Sequence, residues 1–194
     1  MRPFAPLLPL SLLCLPTLAQ EVTLRGKVED VQGTPNQFVI DCTNTALSST
    51  LFDLNLFVGQ SVELSGTWSG SPTAPAVQVT QIQAIPETYE IGGGAKLGEL
   101  SVQGFTAAPG TAVLGLLSLQ PGFLPLPGSG TVLIDLGQTV LQASGVIGGS
   151  GVLELPFLIP NNPNLLGLDF YGQGALIAGG NVTLTNPDCK TIDA

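Results

Sequence analysis

The side chains that could perform chemistry in this chain are carboxylates, with no histidine to assist them. The sequence contains 14 Asp and Glu, five Lys and Arg, and no His. Two carboxylates at a suitable separation can hydrolyse a glycoside, and Asp135 and Glu154 each stand within an apolar, alternating segment. A strand with one face in water explains both acids without a reaction. We therefore expect the protein not to be an enzyme.

A serine nucleophile would need a lysine as its base, because histidine is absent. Lys27, Lys96 and Lys190 do not lie in a Ser-x-x-Lys motif. Residues 148–152, Gly-Gly-Ser-Gly-Val, approach a nucleophile elbow but lack its final glycine, so we interpret this segment as a turn.

Metal-ligating residues are equally sparse. Two cysteines without a histidine cannot complete a zinc shell. The nearest approach to a calcium site is Asn161, Asn162, Asn164 and Asp169, although Asn is also an ordinary turn residue. We predict no metal and no cofactor.

The first 19 residues predict export. Arg2 precedes a Leu-rich apolar run that ends in Thr17-Leu18-Ala19, with small residues at the two positions that a signal peptidase reads. We predict a signal peptide over residues 1–19 and a secreted or periplasmic protein. No later apolar stretch reaches transmembrane length without a Gly or Pro, so we expect no membrane span after cleavage.

Cleavage would leave four basic residues against 14 acids, a net charge of −10. This charge argues against nucleic acid as a partner, because phosphate binding needs clustered Lys and Arg. Cys42 and Cys189 would be the two remaining cysteines. In an oxidising compartment we expect them to form a disulfide, and two separately buried thiols are the alternative.

Residues 20–86 predict strands and a small barrel. Alternating or β-branched runs cover residues 22–31, 37–43, 61–68 and 76–85, and the Leu and Phe spacing over residues 47–57 indicates a short helix or helical turn ended by Gly59. Gly26 and Gly66 interrupt strands, which indicates bulges or bends more than close approach of a ligand.

Residues 54–67 have the sequence Leu54-Asn55-Leu56-Phe57-Val58-Gly59-Gln60-Ser61-Val62-Glu63-Leu64-Ser65-Gly66-Thr67. This segment resembles a sequence motif of small exported bacterial OB-fold-like domains. The opening Gly26-Lys27-Val28 and the Val/Ile alternation of the last strand fit the same pattern. The resemblance covers about a third of the chain. It implies an OB-like barrel and says little about function, because such barrels bind many unrelated ligands.

Residues 87–96 contain three consecutive glycines, Gly92 to Gly94, and predict a flexible linker. Residues 97–194 then predict a second β-domain, a β-sandwich of jelly-roll type, because short strands recur about every ten residues between Gly, Pro and Asn turns. The predicted strands cover residues 97–105, 111–119, 130–136, 139–146, 151–159, 167–177 and 180–186. The predicted fold class is thus all-β, with a small OB-like barrel followed by a β-sandwich.

The stretch from Ile159 to Ala175, IPNNPNLLGLDFYGQGA, resembles the C-terminal part of uncharacterised secreted proteins of planctomycete-like bacteria. Gly174 departs from that pattern and leaves the strand register there open. For Gln173 we favour a buried amide bonded to strand backbone over a surface contact with a ligand.

No basic residue lies between Lys96 and Lys190. The strands of the predicted second domain therefore lack the lysines that commonly protect exposed strand edges. We expect those edges to be covered, short, bulged or paired with another chain. The leading hypothesis is an exported, non-enzymatic structural or interaction protein that associates with itself through this domain or docks there on an envelope protein or glycan. The alternative is a small-ligand or glycan-binding module that uses the barrel face around Trp68.

Overall fold

The structure is a computed structural model that describes residues 20–34 and 36–194, so the predicted signal peptide lies outside the described residues. Its first part contains strands β1 (Gln20–Asp30), β2 (Phe38–Ile40), β3 (Ala46–Ser48), β4 (Ser61–Ser71) and β5 (Ala74–Ala84), with a 3₁₀ helix at Leu54–Phe57. The second part contains β6 (Tyr89–Gly92), β7 (Leu100–Thr106), β8 (Ala112–Ser118), β9 (Pro121–Leu126), β10 (Gly130–Ile134), β11 (Thr139–Val146), β12 (Val152–Leu158), β13 (Asp169–Ala178), β14 (Asn181–Leu184) and β15 (Asp188–Thr191), with 3₁₀ helices at Leu136–Gln138 and Pro163–Leu165.

The first five strands close into a barrel in the order β1-β2-β3-β5-β4, and β4 pairs back onto β1. Strand β3 runs parallel to β5, and the other neighbours are antiparallel. Val22, Leu24 and Val28 alternate into the core of the barrel, as the period of two in β1 predicts. The predicted helical turn is the 3₁₀ helix, in which Leu54 is buried.

The two strand glycines have different roles. The β4–β5 register shifts between Ser65 and Gly66, so the predicted bulge is present at Gly66. Pairing continues through Gly26, which stands opposite Val62. A Cβ at Gly26 would collide with Ile40, so this glycine permits close packing rather than a bulge.

The second part forms two sheets that pack face to face. The larger sheet has the order β11-β8-β13-β14, with β15 also paired to β13, and the smaller sheet has the order β12-β7-β6. Their facing side chains share one core, which includes Tyr89 and Phe105 from the smaller sheet and Val113, Leu117 and Phe170 from the larger. The predicted all-β class is confirmed, with a closed barrel followed by packed sheets.

Glycines on the larger sheet make room for this core. Gly115 of β8 and Gly174 of β13 stand opposite each other. A Cβ on either glycine would collide with the Phe105 ring, which is fully buried. This pairing fixes the register at Gly174 that the sequence left open.

The hairpin β9–β10 joins the two parts. Phe123 and Leu133 belong to the hydrophobic cluster of the barrel, and Thr131 Oγ1 donates to the Thr23 carbonyl at 2.9 Å. The hairpin therefore contributes side chains to the barrel core, although its residues fall within the predicted second domain.

The predicted linker also contains a strand. Tyr89 and Ile91 of β6 are buried in the sandwich core, and β6 pairs with β7 over residues 89–92. The linker prediction is wrong for these residues, because the alternation of Tyr89 and Ile91 outweighs the glycines that follow. Within the described ranges, no helix is long and apolar enough to cross a membrane.

Candidate functional site

The edges of the sandwich differ in what protects them. Strands β6, β14 and β15 lie along one side, which we call the covered flank, and β11 and β12 lie along the other, which we call the open flank. A free strand edge presents unpaired N–H and C=O groups to any extended chain. Each free edge is therefore a candidate docking site.

Asn186 covers the edge of β6. Its Oδ1 accepts hydrogen bonds from the backbone N–H groups of Thr88 at 2.9 Å and Tyr89 at 3.2 Å. Its Nδ2 donates to the Tyr89 carbonyl at 2.7 Å. Asn186 is buried, so one side chain takes the place of a neighbouring strand.

Asp188 satisfies a further backbone group along the same β6 edge. Its Oδ2 accepts from the backbone N–H of Ile91 at 2.6 Å, and its Oδ1 accepts from the N–H of Cys189 at 2.8 Å. Burial raises the pKa of the Tyr89 phenol, and the negative charge of Asp188 raises it further. The Tyr89 hydroxyl stays protonated and donates to Gln103 Oε1 at 3.2 Å within the core.

A disulfide ties the covered flank to the barrel. Cys42 and Cys189 form it as predicted, with their Cα atoms 5.5 Å apart, and the bridge joins the loop after β2 to β15 across 147 residues. Asp41 lies beside the two sulfur atoms. Because both sulfurs are bonded to each other, neither is a thiolate ligand for a metal.

Gln173 has the structural role that the sequence favoured. It is buried, its Oε1 accepts from the Leu133 N–H at 2.7 Å, and its Nε2 donates to the Thr185 carbonyl at 2.9 Å and the Thr131 carbonyl at 3.3 Å. The amide therefore joins β13 to the β9–β10 hairpin and to the segment after β14. It is not available to a ligand.

Strand β11 is an exposed edge of the larger sheet. It pairs with β8, and within residues 20–34 and 36–194 no backbone hydrogen bond satisfies its other side. Its sequence, TVLQASGV, contains no charge and no proline. Val140 and Val146 are 58% and 61% exposed on its outer face. A register shift between Thr139 and Leu141 distorts its beginning, and Leu141–Val146 pairs regularly.

Strand β12 is the neighbouring edge of the smaller sheet, and it carries the protections that β11 lacks. Pro156 removes a backbone donor, and Glu154 places a charge on the exposed face. A strand that added to β12 would therefore lose a hydrogen bond and bury a carboxylate. The β11 edge carries neither penalty.

The core beside the open flank is incompletely buried. Leu141 of β11 and Leu153, Leu155 and Phe157 of β12 pack on the sandwich core but stay partly exposed. Further inside, Phe105 has no exposed surface. Apolar surface is thus left in water along this flank, and a partner that covered it would gain hydrophobic stabilisation.

Trp68, the predicted ligand-binding residue, is half-buried at the end of the barrel. Its ring packs against Phe123 of β9 with the centroids 5.2 Å apart. Its buried Nε1 has no hydrogen-bond partner among the described residues. Phe123 therefore covers part of the Trp68 ring, and the ligand-binding role of Trp68 stays a prediction.

The remaining chemical candidates have local roles. Asp135 Oδ1 accepts from the Gly137 N–H at 2.8 Å and caps a 3₁₀ helix, whereas Glu154 lies on the exposed face of β12. Asn162 Oδ1 caps the turn at Asn164 N, at 3.1 Å. Ser150 lies in an exposed turn and bonds to the backbone of Val152.

A cleft of about 440 Å³ lies between β1, the turn of the β9–β10 hairpin and β14. Arg25 lines it, and its Nη2 is 2.6 Å from Glu63 Oε2. The charge of this guanidinium is already neutralised by the carboxylate. Among the described side chains that line the cleft, no unpaired basic side chain is offered to an anionic ligand.

Comparison with known proteins does not assign the chain to a family. No family model matches the sequence, and no curated protein matches it. The resemblances to OB-fold-like domains and to planctomycete-like secreted proteins therefore remain predictions.

Sequence reasoning missed the residues that cover the β6 edge. Asn186-Pro187 has the composition of an ordinary turn, and nothing in it indicates a buried amide. The Tyr-x-Ile alternation of β6 was the available signal, because a buried strand at that position requires something to satisfy its outer edge.

Proposed function

We propose that this protein is an exported, non-enzymatic interaction protein that associates with itself through the open flank of its sandwich. The observation that carries the proposal is the β11 edge, which is unpaired, uncharged and beside a partly exposed core. Addition of a strand to such an edge is a common mode of protein recognition. The covered flank supports the choice of side, because the outer edge of its strand β6 already has partners.

The barrel serves in this proposal as a rigid support for the sandwich. We infer that it is OB-like, and its five closed strands support that interpretation. Hairpin β9–β10, Gln173 and the disulfide fasten the sandwich to it. These contacts hold the open flank in a fixed position relative to the barrel.

Export is supported by the predicted signal peptide and by the paired cysteines, since disulfides persist in oxidising compartments. Absence of catalysis is supported by the sequence, which contains no histidine. Asp135 and Glu154 support it as well, because the first caps a helix and the second faces solvent.

Sedimentation equilibrium over micromolar to millimolar concentrations tests this function. We expect the average mass of the wild-type protein to rise with concentration, and we expect Ser144→Lys, which places a charge on the β11 edge, to suppress the rise. Val152→Lys on β12 is the matched control and should leave association unchanged. A wild-type protein that stays monomeric throughout would contradict the proposal.

A further inference from the structure

We infer that the partner strand on the open flank is β11 of a second copy, paired antiparallel about a twofold axis at Ala143. This inference rests on the proposed function and specifies its partner and register. A strand that pairs with its own copy across a twofold axis must be complementary to its own reversed sequence. The outer and inner faces of β11 both have that property in one register.

The outer face is self-complementary in one register. Facing residues of an antiparallel pair point to the same side of the sheet. With Ala143 opposite Ala143, exposed Val140 stands opposite Val146 of the other copy. Gln142 then stands opposite Ser144, so apolar groups meet apolar groups and polar groups meet polar groups.

The inner face fits the same register. Leu141 stands opposite Gly145 of the second copy, so a large side chain meets a position without one. Centring the axis on Gln142 would place Val140 opposite Ser144, and centring it on Ser144 would place Val146 opposite Gln142. Both shifts pair an apolar group with a polar one.

Charge also selects this strand. The chain has a formal net charge of −9, so two copies repel each other over most of their surface. Strand β11 and its neighbour β8 contain no charged residue. Contact through β11 therefore brings no carboxylate of these two strands against its counterpart, whereas contact through β12 would bring the two copies of Glu154 together.

The pairing closes after two copies. Each copy contributes its one β11 edge, so two five-stranded sheets become one continuous sheet of ten strands. Pro156 and Glu154 oppose further addition at β12. The partly exposed Leu141 and Phe157 lie along the flank that the second copy approaches. Through the strand edges of the open flank, the assembly is therefore a dimer and not a fibre.

Two double variants that differ at one residue test the register. Gln142→Lys/Ser144→Glu places Lys opposite Glu twice in the proposed dimer. Gln142→Lys/Ser144→Lys places Lys opposite Lys twice. Both alter only exposed positions, and urea unfolding verifies that both are folded.

Sedimentation equilibrium gives the dissociation constants. We expect the Lys/Glu variant to dimerise within about threefold of wild type and the Lys/Lys variant to bind at least about tenfold more weakly, because like charges directly opposite are unfavourable. If wild type associates and the two variants are weakened equally, the register is wrong and the proposed function stands. If wild type does not associate, the proposed function fails.

Discussion

The two flanks of the sandwich differ in how the backbone groups at their strand edges are satisfied. On the covered flank, a buried amide and a carboxylate satisfy the β6 edge, and a disulfide holds β15 against the barrel. On the open flank, β12 carries a proline and a charge, while β11 carries neither. Under the proposed function, β11 is left free within the monomer because its partner comes from a second copy.

The largest effect should follow from removing the disulfide on the covered flank. Cys42→Ser/Cys189→Ser releases a loop of 147 residues, and we expect the free energy of unfolding to fall by about 5 kcal/mol in the chain-entropy model. Urea denaturation measures the loss. Reduction of the wild-type protein should reproduce it, and a loss below about 1 kcal/mol would contradict a structural role for the bridge.

A smaller effect should follow from uncovering the β6 edge. Asn186→Ala leaves the N–H groups of Thr88 and Tyr89 and the Tyr89 carbonyl without a partner, and we expect a loss of about 3 kcal/mol in unfolding free energy. Asn181→Ala, at an exposed position of β14, is the matched control and should change stability by less than about 0.5 kcal/mol. Equal effects of the two substitutions would show that Asn186 does not protect the edge.

Strands were predicted best where a clear alternation of apolar and polar residues was bounded by turn residues. Strand β11 has the bounds of its alternating run, and the barrel strands follow theirs within a few residues. Strand β3 was missed because three residues carry too little pattern. Strand β9 was missed because Pro121-Gly122 and Pro125 have the composition of a turn.

The candidate site was only partly predictable. The scarcity of lysine indicated that the edges of the second domain need protection, but it could not show which edge was already protected. Asn186 and Asp188 act through contacts with β6, about 97 residues away in sequence. Such contacts have no local signature, so the distinction between the flanks required the structure.

Amide hydrogen exchange of the wild-type protein, resolved by NMR at low and high concentration, tests the free β11 edge most directly. We predict that amides of Leu141–Val146 that face away from β8 exchange rapidly in the dilute protein and become protected as concentration rises, while amides of β12 do not change. Protection of those β11 amides in the dilute monomer, or a concentration effect of equal size on β12, would contradict the account.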